Sequence, residues 1–73
     1  MNVYRVIFAK NEVLSMREVN DSVVLNGLYH YEHKNGRLLY AVVNAETEDN
    51  ALIIANFIIK ELSEKILGHD YVN

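Results

Sequence analysis

Leu28-Tyr29-His30-Tyr31-Glu32-His33-Lys34-Asn35-Gly36-Arg37-Leu38-Leu39-Tyr40-Ala41-Val42-Val43 is the stretch that decides how this chain folds. Asn35-Gly36 separates two alternating runs. Asparagine and glycine tolerate the positive φ angles of a two-residue type I′ turn, whose twist matches that of the strands it joins. The stretch therefore predicts a β-hairpin. Closing it at Asn35-Gly36 sets Lys34 opposite Arg37, His33 opposite Leu38, Tyr31 opposite Tyr40 and Tyr29 opposite Val42. With a side-chain period of two, Tyr29, Tyr31, His33, Leu38, Tyr40 and Val42 share one face, the expected core face. That face extends back to Val23 and Leu25 unless Gly27 marks a bulge. Leu28, His30, Glu32, Lys34, Arg37, Leu39, Ala41 and Val43 share the other face, polar near the turn and apolar away from it.

Working outward, Val3 to Lys10 reads as a strand rich in Val, Ile, Phe and Tyr. Glu12 to Val19 is ambiguous: Leu14 and Met16 alternate as in a strand, while Val13, Met16 and Val19 recur at helical spacing. A strand is favoured, with Asn20-Asp21 as the turn that follows. Glu48 to Leu67 is a helix. Thr47 is its N-cap, Glu48 and Asp49 place negative charge in the first turn where the helix dipole favours it, and Gly68 is the expected left-handed stop. The fold class is α+β: an antiparallel sheet of three or four strands, expected as a meander, covered on one face by a single long C-terminal helix. Residues 1–73 form one domain, with no internal repeat, linker or low-complexity tract.

The helix is too apolar for one contact face. At 100° per residue, Ala51, Leu52, Ile54, Ala55, Ile58, Ile59, Leu62 and Ile66 fall within one broad arc. Ile53 and Phe57 fall outside it, one turn apart and beside Lys60 and Glu64. An adjacent aliphatic and aromatic pair on an exposed helix face is a common anchor for a partner. The expected interface is Ile53 and Phe57, with a second patch of Leu28, Leu39 and Val43 on the back of the sheet. A homodimer is the simplest case, because a chain of 73 residues without cysteine buries little surface alone and has no disulfide to compensate. A heterologous protein partner is the alternative.

At 51% apolar and 23% charged residues, the composition is that of a folded domain rather than a disordered segment. Met1-Asn2-Val3-Tyr4-Arg5 lacks the features of a secretory signal, and polar residues interrupt the helix short of a membrane span. A soluble, cytoplasmic protein is expected. The net charge of -3 is uneven: residues 1–44 are near neutral and residues 45–73 acidic. Phosphate binding draws on clustered Lys and Arg, so nucleic acid is disfavoured as a partner. The best ground for it is the Tyr29, Tyr31 and Tyr40 cluster, with Lys34 and Arg37 at the hairpin tip as contacts.

His30-Tyr31-Glu32-His33 invites a metal reading, but residues two apart share a strand face, so His30 joins Glu32 while His33 points away. Two ligands fall short of a zinc site. His69-Asp70 lacks further partners. Gly27, Gly36 and Gly68 are too dispersed for a phosphate loop, and no serine stands in a nucleophile motif. No metal, cofactor or catalytic residue is expected, and the chain reads as a non-enzyme. Asn44-Ala45-Glu46-Thr47-Glu48-Asp49-Asn50-Ala51-Leu52 loosely resembles the C-terminal half of small sheet-plus-helix antitoxins of the HicB type. The resemblance is confined to those residues and lacks that family's proline-containing loop, since this chain has no proline; no residue roles carry over. The leading expectation is a self-associating interaction or regulatory module. The alternatives are an antitoxin-like regulator contacting nucleic acid or a toxin through the sheet face and hairpin tip, and a small-ligand site at a dimer seam.

Overall fold

A computed structural model describes residues 1–19 and 27–71, with side chains through Lys65. The expected continuation through Val23 and Leu25 and the Asn20-Asp21 turn lie outside the described residues. Strands β1 (Asn2–Ala9), β2 (Glu12–Val19), β3 (Tyr29–Lys34) and β4 (Arg37–Ala45) precede one helix, α1 (Glu48–Tyr71). Glu12 to Val19 is thus a strand. The sheet is antiparallel, in the order β2-β1-β4-β3. This order is not the meander expected. Two hairpins lie side by side, joined through β1 and β4.

Both hairpins are built alike. Asn35 and Gly36 have φ of 54° and 77°, and Lys34 faces Arg37, as the Asn-Gly turn requires. The first hairpin closes at Lys10-Asn11, with φ of 54° and 59°. In each second strand one residue then drops out of register: Leu14 between the Phe8–Val13 and Ile7–Ser15 pairs, and Leu39 between the His33–Leu38 and Glu32–Tyr40 pairs. An extra residue in one strand reverses the alternation beyond it. Tyr31 therefore faces Ala41 rather than Tyr40, and Tyr29 faces Val43 rather than Val42. The repeated hairpin, unexpected from the sequence, lies in backbone geometry rather than in residue identity.

The bulge moves the core face of β4 to Leu38, Ala41, Val43 and Ala45. Tyr4, Val6 and Phe8 of β1 join them, and α1 contributes Ala51, Ala55, Ile58 and Leu62. Tyr40 and Val42, expected in the core, lie on the opposite face, half-buried. Ile58, Val6 and Val43 are fully enclosed, each contributing about 1.5–3 kcal/mol through burial. Thr47 caps α1: its Oγ1 accepts from the Asn50 amide at 3.1 Å and its carbonyl accepts from the Ala51 amide at 3.0 Å. Gly68 does not stop the helix, which runs on to Tyr71. The buried stripe is narrower than the expected arc, and Leu52 is exposed. Ala51 and Ala55 of α1 are buried in the same core cluster as Ala41 and Ala45 of β4.

Asn11 clamps the hairpin tips together. Its Nδ2 donates to the Gly36 carbonyl at 3.2 Å, and its Oδ1 accepts from the Leu38 amide at 2.8 Å. At the other end, Gly27 takes a φ of 116°, which side-chain-bearing residues rarely adopt. Its carbonyl accepts from Asn44 Nδ2 at 2.9 Å, and the Leu28 carbonyl accepts from the Asn44 amide at 2.8 Å. Among the described residues no helix is long and apolar enough to cross a membrane.

Candidate functional site

Among the described residues nothing covers two faces: the outer side of α1 and the side of the sheet away from it. On α1, Ile53 is 66% and Phe57 54% exposed, one turn apart and opposite the Ala51-Ala55-Ile58-Leu62 stripe. Phe57 is not isolated from the sheet. Its ring stands edge-on to Tyr29 at 6.2 Å, and Tyr29 stacks on Tyr31 at 6.1 Å. The Tyr29 hydroxyl donates to Glu61 Oε2 at 2.7 Å. That bond holds the phenol proton and raises the Tyr29 pKa above its ordinary value, with partial burial and the carboxylate's charge acting in the same direction. The pair fastens the flank of α1 to edge strand β3.

Ser63, Glu64 and Lys65 point in three directions around the axis, and all are exposed.

The expected patch of Leu28, Leu39 and Val43 does not exist as a surface. Val43 is 0% exposed, because the bulge at Leu39 turns it toward α1. Leu28 and Leu39 are each about half exposed but lie at opposite ends of the sheet, Leu28 beside Asn44 and Leu39 next to the hairpin tip. Between them the open face carries Ile7 opposite Tyr40, and Arg5 opposite both Arg17 and Val42. The tyrosine cluster is likewise divided. Tyr29 and Tyr31 pack against the core on the helix side, and Tyr40 is on the open side.

Lys34 and Arg37 are opposed at the hairpin tip, where with Asn35 and Leu39 they line an open depression. By alternation they share the open face with Arg5 and Arg17. His30 and Glu32 are also on that face, with Nε2 of His30 2.7 Å from Oε2 of Glu32, matching their expected placement on one side of the strand. His33 is on the other side, its ring 5.9 Å from Tyr31. The open face is therefore basic, while the outer layer of α1 carries Glu48, Asp49, Glu61 and Glu64 against Lys60 and Lys65.

The opposition of Arg5 and Arg17 was not legible in the sequence. It depends on the bulge at Leu14, without which Arg5 would face Met16. No protein-family model, no curated protein and no solved structure matches this chain.

Proposed function

We propose that this domain is a non-enzymatic, self-associating interaction module whose contact surface is the outer face of α1. One observation carries the reading: Ile53 and Phe57 stand mostly exposed on the side of the helix opposite its core stripe. Apolar side chains paired on a helix face gain most from a partner that removes both from water together. A second copy is the partner that a small chain without disulfides has most to gain from. Phe57→Glu tests this. The substitution leaves the core stripe intact and sets a charge in the contact, so the mass measured by light scattering on a sizing column should fall. An unchanged assembly carrying Glu at this position counts against the reading.

A second reading rests on a different observation, the two like-charge pairs Arg5–Arg17 and Lys34–Arg37. Like charges directly opposite one another destabilise a sheet. An anionic partner on the open face offsets that cost, and single-stranded nucleic acid is the simplest probe. Lys34→Glu with Arg37→Glu should then abolish salt-dependent oligonucleotide binding. No binding by the wild-type chain at low salt removes this reading.

A further inference from the structure

We infer that the open face of the sheet takes a single-stranded nucleic acid laid diagonally across the strands, its phosphates on the Arg5–Arg17 and Lys34–Arg37 pairs and a base between them stacked on Tyr40. This rests on the reading of an anionic partner and assigns its chemistry and its contacts.

Strand pairing sorts the open face into levels. Arg17 of β2 lies opposite Arg5 of β1, and both are exposed. Two residues along the strands, about 7 Å away, the next level carries Ser15, Ile7, Tyr40 and Glu32, each opposite the one before it. Beyond that level Lys34 faces Arg37 at the hairpin tip, both exposed. Each basic pair sets two cations within one strand spacing, a geometry suited to one shared phosphate. The pairs stand on different halves of the sheet, so the line joining them runs on the order of 15 Å diagonally over Ile7 and Tyr40. That length suits an extended segment of about two or three nucleotides.

Tyr40 decides between kinds of polyanion. Tyr29 and Tyr31 pack on the helix side, so Tyr40, half-buried between Ile7 and Glu32, is the tyrosine that the open face presents. An unpaired base offers its flat face to such a ring, whereas a duplex keeps its bases stacked on one another and presents phosphates alone. The acidic side chains on this face are Glu12, next to the first hairpin turn, and Glu32, whose Oε2 lies 2.7 Å from Nε2 of His30. The site is on the side of the sheet away from α1, so a second copy seated on Ile53 and Phe57 does not obstruct it.

The test is fluorescence anisotropy of a labelled oligothymidylate of about ten nucleotides, titrated with the full chain across a salt series, with circular dichroism to confirm folding. The wild-type chain should bind at low salt and weaken as salt rises. Tyr40→Ala should lower the affinity on the order of tenfold or more while keeping the salt dependence, and Tyr40→Phe, which retains the ring, should bind as the wild type does. Arg17→Ala, on the edge strand, should instead reduce the slope of log affinity against log salt by about 0.7. If Lys34→Glu with Arg37→Glu abolishes binding while Tyr40→Ala leaves it unchanged, the anionic-partner reading stands and the stacked single strand is overturned. A duplex of the same length bound as tightly as the single strand overturns it as well. An assembly that dissociates on Arg17→Ala gives the open face to a second copy and has the same consequence. No binding by the wild-type chain at low salt removes both the reading and the inference.

Discussion

Replacing Asn11 with alanine should destabilise the fold more than its place in an exposed turn implies. Three effects add. The Leu38 amide, on a strand whose side chain is buried, loses its acceptor at 2.8 Å, at about 1–2 kcal/mol for a partly buried donor left unpaired. The Gly36 carbonyl loses a donor at 3.2 Å, about 0.5 kcal/mol in a turn open to water. Alanine must also hold the φ of 59° that asparagine accepts more readily, costing about 1 kcal/mol. The sum is about 2–4 kcal/mol, equivalent in a domain of this size to a fall in Tm of roughly 10–30 °C. Companion variants separate the contributions. Asn11→Gly loses both hydrogen bonds but relieves the backbone, so it should be less damaging than alanine. Asn11→Asp keeps the acceptor for Leu38 and should be the mildest. Thermal and urea unfolding at one fixed protein concentration measure all three, because mass action makes the stability of an assembly depend on concentration. Alanine and aspartate variants both within about 0.5 kcal/mol of wild type refute the clamp.

Ile58→Ala opens a cavity where α1 meets the sheet and should cost about 2–5 kcal/mol in urea unfolding; a loss below about 1 kcal/mol contradicts its place in a close-packed core. The Tyr29–Glu61 bond makes stability pH-dependent at the alkaline end. Because the folded-state pKa of Tyr29 is raised, its contribution is full below about pH 10, where the unfolded chain still holds the proton, and falls as pH rises through the folded-state value. Tyr29→Phe should lack that part of the decline, and parallel alkaline curves for the two proteins count against the bond. Arg17→Ala should leave stability unchanged or slightly higher in thermal melts, because it removes one member of a like-charge cross-strand pair; a marked loss means that Arg17 makes a stabilising contact.

Local chemistry made much of this architecture readable. Asn35-Gly36 announced its turn, Thr47 its cap, and the 3.6-residue period the stripe of α1 from Ala51 to Leu62. The bulges were not readable, because Leu14 and Leu39 are apolar residues among apolar residues and nothing in their identity says that the ladder skips them. Their consequences spread. The skip at Leu14 puts Val13 and Met16 on one face although they are three apart, which gives a strand the spacing of a helix. The skip at Leu39 carries Val43 into the core and Tyr40 out of it. Lys10-Asn11 does not advertise a turn as Asn-Gly does, and the clamp that Asn11 makes on Gly36 and Leu38 depends on a β1–β4 pairing that no local signal encodes. Gly68 shows the opposite limit: a residue suited to ending a helix need not end it.

Of the candidate contact residues, Ile53 and Phe57 are exposed as helix periodicity implied, because that periodicity does not depend on anything outside the helix. Leu28, Leu39 and Val43 were grouped by strand alternation, which a single inserted residue undoes. Lys60 and Glu64 stood beside the apolar pair in the sequence, and both are exposed.

The most direct measurement is the solution mass of the unmodified chain by sedimentation equilibrium across a concentration series. The account predicts a mass that rises with concentration to a plateau at twice the chain mass of 8.4 kDa. A mass that stays at the single-chain value up to millimolar concentration contradicts it.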